Sequence, residues 1–184
     1  MPSPVGHSLM GLMIYRVAAA RGSSRRWPEI ALCVAAANMP DLDFVPGLLL
    51  GNPDRFHHGA SHSIGFAVLF AALVGGFQRV CRREGATRTF LLSFCAYVSH
   101  VVVDCLSIDS TAPYGVPLLW PASSRYYIVP WAFLPDIRRS NSPGRFLGSL
   151  FSAHNLWSAC VELLWFLPPV ILVNAVAGRL RRRA

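Results

Sequence analysis

The 184-residue sequence contains no lysine and few charged residues of any kind. Charged side chains make up 14% of the chain, whereas about 25% is usual in soluble domains. Apolar side chains make up 53% of the residues. This shortage of charge argues against an ordinary soluble domain and favours a single domain embedded in a membrane.

The motifs of several functional classes are also absent. None of the five cysteines forms a Cys-x-x-Cys pair, which disfavours a thiolate metal site or a disulfide frame. The net charge of +8 would suit nucleic acid, but no helix-turn-helix, zinc-finger or RNP pattern is present, so nucleic-acid binding is disfavoured. The missing Gly-x-Ser-x-Gly elbow argues against a serine hydrolase. A cleaved signal peptide is not expected, because no basic region precedes the first apolar run.

Five apolar segments predict an all-α, polytopic membrane bundle of about five helices. They cover residues 8–20, 28–50, 64–80, 90–106 and 156–178. The third and fifth reach the roughly 20 apolar residues that a bilayer core requires, whereas the other three are marginal. The stretch between the last two segments is long and rich in proline and aromatic residues. It is expected to form an interfacial loop or lid.

The arginines predict an orientation. If all five segments cross, eleven of the seventeen arginines lie on one side, and five lie in longer stretches on the other. The positive-inside rule then places the C-terminus in the cytoplasm, and the N-terminus and the long loop outside the inner membrane.

Histidine and aspartate residues carry the chemical signal. They form five clusters: His7; Asp41 with Asp43; His57, His58 and His62; His100 with Asp104; and His154. With five crossings, every cluster falls at the arginine-poor end of its segment. We therefore expect the clusters to meet in one extracytoplasmic layer.

These side chains suit a divalent metal, with zinc the first candidate and manganese or iron the alternatives. His100 and Asp104 share one face of a helix, and an Asp-x-Asp pair can bridge two ions or supply a ligand and a base. The predicted ligands for one to three ions are His7, Asp41, Asp43, His57, His62, His100 and Asp104. Asp41 and Asp43 are the candidate catalytic residues, and His58, Asp109 and His154 are further candidates. The alternative reading is that the clusters form only helix-packing hydrogen bonds and a solvated turn.

Two further groups of charged residues need partners. Arg125, Arg138 and Arg139 in the long loop are candidates to bind a substrate phosphate, the alternative being exposed solubilising side chains. Arg16 and Glu162 lie at similar predicted depths in the first and last segments. Because buried charges require a partner, they are predicted to form an ion pair.

Ordered motifs over residues 1–121 resemble the YdjM-like family of inner-membrane, metal-dependent hydrolases. The resemblance is carried by His7, Asn-Met-Pro-Asp-Leu-Asp (38–43), His-His-Gly-Ala-Ser-His-Ser (57–63), Ser-His-x-x-x-Asp (99–104) and the Thr-Ala-Pro-Tyr-Gly stretch (111–115). The sequence departs at His58, where the family usually has arginine, and at Ser61, where it usually has threonine. The resemblance implies a membrane-bound hydrolase whose substrate is poorly defined.

The order of the clusters is also similar, more distantly, to the zinc-dependent phospholipase C enzymes. That likeness implies His7, Asp41, His62, His100 and Asp104 as ligands, with Asp41 or Asp43 as the bridging ligand or base. It is incomplete at the end of the chain, where Ser158 follows His154 in place of a glutamate. A full three-metal site is not implied.

Together these features predict a membrane-bound hydrolase in which metal-activated water cleaves a phosphoester of a lipid or lipid-linked substrate. Membrane lipids and the substrate are the expected partners. The alternative is a non-catalytic membrane protein that binds metal, transports a solute or docks a regulatory partner.

Overall fold

The computed structural model describes residues 1–19, 26–82 and 84–183, without the side chains of residues 26 and 177–183. The described chain is all helical, which confirms the predicted fold class. Its helices are α1 (Pro4–Ala19), α2 (Arg26–Asn38), α3 (Phe44–Leu49), α4 (Ile64–Arg82), α5 (Ala86–Cys105), α6 (Pro143–Ser149) and α7 (Ala153–Arg183). Five are long, as predicted, and the short α6 was not foreseen.

The second apolar segment is broken in the middle. Pro40 lacks a backbone N–H and cannot continue α2. A single 3-10 turn, Pro40–Asp43, leads into α3, and the two halves of the segment meet at an angle of 51°. The break leaves Asp41 and Asp43 on a turn at one end of the bundle.

Small residues allow the helices to approach closely. A methyl group at Gly11 in α1 would lie 2.5 Å from the main-chain oxygen of Cys33 in α2. Further small side chains are fully buried between the helices: Ala36, Ala37, Ala67, Ala71 and Ala96. Interfaces of this kind are typical of membrane bundles, where helices associate through close packing.

Among the described residues, three helices are long and apolar enough to cross a membrane: Ile64–Arg82, Ala86–Cys105 and Ala153–Val176. The bent pair Trp27–Asn38 and Pro40–Leu49 would make a fourth if it counts as one span. The assumption of five crossings is therefore corrected. With 16 residues, α1 is about 24 Å long at 1.5 Å per residue, which is shorter than the roughly 30 Å hydrocarbon core.

The long helices alternate in direction. His7 near the start of α1 lies against Asp104 near the end of α5. At the opposite end, Arg88 near the start of α5 donates to Glu29 near the start of α2, with Nε 2.7 Å from Oε1. The polar clusters therefore gather at one end of the bundle, as predicted. Several arginines on which the orientation was argued lie outside the described residues or have undescribed side chains: Arg21, Arg25, Arg26, Arg83, Arg179, Arg181, Arg182 and Arg183.

The predicted Arg16–Glu162 ion pair does not form. Glu162 is buried and accepts hydrogen bonds from the main-chain N–H groups of Ser3 and Gly6. Glu162 therefore lies level with the start of α1, and Arg16 is ten residues, or about 15 Å, further along that helix. The prediction was wrong because it assumed that α1 and α7 begin at the same depth.

The stretch between α5 and α6 covers the polar end of the bundle. Short bridges pair Ser107 with Leu134 and Val116 with Tyr127. The main-chain oxygen of Leu118 accepts a hydrogen bond from the first N–H of α4, at Ile64. The loop is thus anchored to the helices, in agreement with the predicted cover.

Candidate metal centre

Four side chains form the centre of the polar cluster. His62 ends a short 3-10 turn before α4, His100 and Asp104 share one face of α5, and Asp41 lies on the turn after α2. The side chains of His62, His100 and Asp104 are completely buried, and that of Asp41 is 13% exposed. One helix and two turns thus bring together residues that are far apart in the sequence.

The distances within this group fit a metal. The Nε2 atom of His62 lies 3.5 Å from an oxygen of Asp41 and 3.5 Å from an oxygen of Asp104. The corresponding distances from Nε2 of His100 are 3.6 and 3.0 Å. Ligands about 2.0–2.1 Å from zinc lie about 3.3–3.4 Å apart in a regular tetrahedron. The four nitrogen–oxygen distances are close to this spacing, and ligand atoms of His62, His100 and Asp104 all lie within 4.8 Å of one another.

His7 extends the cluster on one side. Its Nε2 atom lies 3.6 Å from Oδ1 of Asp104, whereas the histidines of the central group approach Oδ2. Ligand atoms of His7, Asp41 and His100 all lie within 4.8 Å of one another. Asp104 therefore presents one carboxylate oxygen to His7 and the other to His62 and His100. Ligand atoms of His57, His58 and His62 form a further group within the same limit.

The atoms that point into the cluster have no hydrogen-bond partner within the described chain. They are both ring nitrogens of His7, the Nε2 atoms of His57, His58, His62 and His100, and both carboxylate oxygens of Asp41 and Asp104. Leaving a buried polar group unsatisfied costs about 1–3 kcal/mol, and more for a charged group. Nitrogen and oxygen donors left free in this way are suited to a divalent cation, so the residues fit the predicted metal.

A second set of groups holds the histidines in place. Asp43 lies with Oδ1 3.1 Å from Nδ1 of His57 and Oδ2 3.2 Å from Nδ1 of His62. The carbonyl of Ala37 accepts a hydrogen bond from Nδ1 of His100 at 2.8 Å. Each contact places the proton on Nδ1 and leaves Nε2 as a ligand. Asp43 thus contacts a histidine with each oxygen, an arrangement that orients the two rings, and its role as a ligand or base stays a prediction.

His58 is held by Asp109 in the same way, with Nδ1 3.3 Å from Oδ2. Asp109 in turn accepts the main-chain N–H groups of Thr111 and Gly115. The backbone of His58 has φ 56°, in the left-handed region. Non-glycine residues are uncommon there and often mark functional sites. The loop therefore fixes an unusual backbone that brings His58 to the cluster.

Charge states follow from these surroundings. Burial holds the pKa of His57 well below its usual value, and the neighbouring His58 and His62 add to the effect. Burial also lowers the pKa of His58, although its hydrogen bond to Asp109 opposes this. Burial alone would lower the pKa of His62, but the neighbouring carboxylates of Asp41, Asp43 and Asp104 raise it to about 10.

Two polar cavities of about 140 and 60 Å³ lie between the cluster and the covering loop. Both are lined by His58, Asp109, Asp54 and Arg139. The Nε atom of Arg139 donates to Asp54 at 2.8 Å, and its guanidinium lies over the ring of Phe44. Arg138, which is also a predicted phosphate ligand, lines the larger cavity as well.

Two predicted residues lie elsewhere. His154, at the start of α7, approaches the backbone and the carboxylate of Asp136. It belongs to none of the described groups whose ligand atoms lie close enough to share a metal ion. Arg125 is exposed and does not line either polar cavity. Both predictions rested on position in the sequence, and the loop places these side chains away from the cluster.

Asp54 and Ser61 were not foreseen as site residues. Asp54 anchors Arg139, and the hydroxyl of Ser61 donates to Asp43 at 3.0 Å. The only sequence signal for either was proximity to the histidine motif, since Asp54 precedes His57 by three residues and Ser61 adjoins His62.

The family model of the YdjM inner membrane proteins matches residues 1–180, which include all the residues of the cluster. The chain belongs to this family. It is also similar to inner membrane protein YbcI of Escherichia coli K12, with 30% identity over 135 residues, 71% of this chain and 74% of the relative. No solved structure matches. The resemblance noted in the sequence is therefore confirmed, and the YdjM description gives a location, the inner membrane, without a chemistry.

Proposed function

We propose that this protein is a metal-dependent hydrolase of the inner membrane that cleaves a phosphoester of a lipid or lipid-linked substrate. The observation that supports the proposal is the group of buried imidazole and carboxylate atoms that lack hydrogen-bond partners in the described structure. A divalent cation would satisfy these atoms together. Without one, they would form a costly defect at the best-buried polar position of the bundle.

The chain offers places for more than one ion. His62, His100 and Asp104 form one group that would hold an ion, and His7, Asp41 and His100 form a second, neighbouring group. When bound, such paired ions generate hydroxide near neutral pH and stabilise charge on phosphoryl oxygens. This chemistry favours phosphoester hydrolysis over redox reactions.

The surrounding residues have roles consistent with that reaction. Asp41 and Asp104 both have carboxylate oxygens that accept no hydrogen bond from the described residues, and Asp41 is the partly exposed one of the two, so we assign it as ligand and base. Arg139 and Arg138 line the polar cavity in front of the histidines, where a guanidinium can bind phosphate through two parallel hydrogen bonds. The anchored loop limits the access of bulk water to the cluster.

The interior beyond the cluster favours an enzyme over a transporter. Between the cluster and the opposite end lies a hydrophobic core of Tyr15, Ala19, Cys33, Ala36, Ala37, Leu92 and Ala96, and the buried polar groups described near it are the hydroxyl of Ser93 and the Nε of Arg16. A conduit for ions would need polar groups along this path. A non-catalytic metal-binding protein is the remaining alternative, and the experiment below separates it from the hydrolase.

The experiment measures metal content by mass spectrometry in detergent-purified protein, with wild type beside His100→Ala and Asp41→Ala. We expect about one to three equivalents of zinc, manganese or iron in wild type and depletion in both variants. His154→Gln is the matched control, because this histidine lies at the same end of the bundle without contacting the cluster. It should retain the metal, and size-exclusion profiles should show that all variants are folded.

Hydrolysis is measured next, with a phospholipid and with a short water-soluble phosphodiester. Metal-loaded wild type should cleave phosphoesters, and chelation or Asp41→Asn should abolish the activity. Absence of bound metal after adding back zinc, manganese and iron would overturn the proposal. Bound metal without hydrolysis of any phosphoester would replace the hydrolase with a metal-binding protein.

A further inference from the structure

We propose that an apolar groove next to the polar cavity binds one acyl chain of the substrate, so that the substrate is a long-chain phosphate amphiphile. This inference rests on the proposed function, because it assigns a substrate class to the same site. It concerns the part of the substrate that the metal cluster and the arginines do not contact.

The groove lies between the start of α1 and the junction of α6 and α7. It has a volume of about 560 Å³, within the roughly 300–1,000 Å³ typical of small-molecule sites. Apolar side chains dominate its lining, with Pro4 and Val5 on one wall and Leu150, Leu156 and Ala159 on the other. Such a lining suits a hydrocarbon chain and offers little to a charged group.

Ile137 joins the groove to the polar cavity, because it lines both. The backbone at this point is fixed on each side. The N–H of Ile137 donates to the main-chain oxygen of Met1. Asn155 is buried and forms hydrogen bonds to both the N–H and the carbonyl of Arg138, at 2.8 and 2.7 Å. A fixed segment thus separates a polar cavity, which Arg138 and Arg139 line together with three aspartates, from an apolar groove by a single residue.

The position of the groove identifies its occupant. Its rim includes Phe151, 89% exposed, and Leu156, 69% exposed, and it adjoins the candidate membrane span Ala153–Val176. A chain entering from the hydrocarbon layer would therefore follow α7 into the groove. The phosphate attached to that chain would then lie beside the guanidinium groups of Arg138 and Arg139, close to His58.

A second apolar groove provides a control for the first. It lies between α1 and α5 near the opposite end, has a volume of about 610 Å³, and is lined by apolar residues such as Ile14 and Leu91. Its cation, Arg88, is already held by two hydrogen bonds to Glu29. This groove is equally apolar but does not adjoin the histidines, so it serves as an internal control.

The experiment measures binding of dodecyl phosphate and of inorganic phosphate to the metal-loaded protein in nanodiscs. We expect wild type to bind dodecyl phosphate more tightly than inorganic phosphate. Ala159→Phe fills the groove and should lower the ratio of the two affinities about tenfold, which corresponds to displacing about two methylene groups. Leu156→Gln changes an exposed side chain on the rim, folds without repacking, and should lower the ratio in the same direction. Cys95→Phe fills the second groove and should leave the ratio unchanged.

The outcomes separate the two proposals. Equal affinities for the two ligands in wild type, or a ratio unaffected by both groove variants, would overturn the acyl-chain groove, even if metal-dependent hydrolysis is observed. A ratio that Cys95→Phe lowers as much as Ala159→Phe would overturn it as well. A groove-dependent ratio in a protein that hydrolyses no phosphoester would support the binding site and refute the hydrolase.

Discussion

At the residue scale, the two aspartates of the Asp-x-Asp motif have different surroundings. Asp41 leaves both carboxylate oxygens free at the cluster, whereas Asp43 contacts the Nδ1 atoms of His57 and His62 from behind. Side chains two residues apart on a 3-10 turn point in different directions. One aspartate can therefore be a ligand while the other orients the ligands.

This difference leads to a prediction for Asp43→Asn. An amide can accept from one histidine but not from both, so the orientation of His57 or His62 is lost. We expect metal affinity, measured by competition with a chelator, to fall by roughly 10–100-fold. Asp104→Asn, at a ligand, should abolish binding. Equal losses in the two variants would contradict the separate roles.

Residue pairs across the bundle were the least predictable feature. The ligand set could be proposed because histidine and aspartate are polar residues in an apolar chain and each cluster falls at a segment end. The Arg16–Glu162 pair required the relative depth of two helices, and the hydrogen bonds of Glu162 to Ser3 and Gly6 show a different depth. The spacing of residues along one helix does not determine the depth of that helix relative to a neighbouring helix.

At the scale of elements, the close contact of α1 and α2 determines where His7 lies. Gly11 is placed where a side chain would collide with the backbone of α2 near Cys33. The nearest atoms are main-chain atoms of α2, which cannot adopt another rotamer to make room. A larger residue would therefore push α1 away from α2 and displace His7 from the cluster.

We predict that Gly11→Ala lowers the melting temperature in detergent by roughly 2–10 °C, as expected for an overpacked core. Gly76→Ala is the matched control, because Gly76 is also helical but has no atom within 4 Å of the added methyl group. It should leave the melting temperature unchanged or slightly raised. A melting temperature unchanged by Gly11→Ala would contradict the close packing of these helices.

The element boundaries were predicted where apolar runs end sharply. The cores of α4, α5 and α7 lie within the third, fourth and fifth apolar segments. The proline in the second segment marked its break, but the 51° angle between the halves depends on packing. The short helix α6 has only seven residues, too few to show a helical period among the prolines and serines around it.

At the scale of the whole molecule, alternating helix directions bring the candidate ligands to one end. This arrangement was predicted from arginine-poor segment ends, and it holds although the described part of α1, Pro4–Ala19, is not among the candidate spans. The direction in which this end faces is still a prediction. It depends on the bias of arginine toward the cytoplasm.

Topology reporters test that orientation. Alkaline phosphatase fused after Ser124, in the long loop, should be active, because the loop is expected outside the inner membrane. The same reporter fused after Arg183 should be inactive, and green fluorescent protein at that position should fluoresce. The opposite pattern would place the candidate metal site on the cytoplasmic side.

The sequence by itself determined the fold class, the membrane setting, the family and most of the candidate ligands. These depend on composition and on local patterns, namely apolar runs, a helical His-x-x-x-Asp and histidines at a segment end. The tertiary structure alone decided that Asp43 and Asp109 orient histidines, that His154 lies apart, and that Ile137 joins a polar cavity to an apolar groove. The physical reason is that these roles depend on which atoms meet across helices and loops. Such contacts are set by the packing of the whole chain.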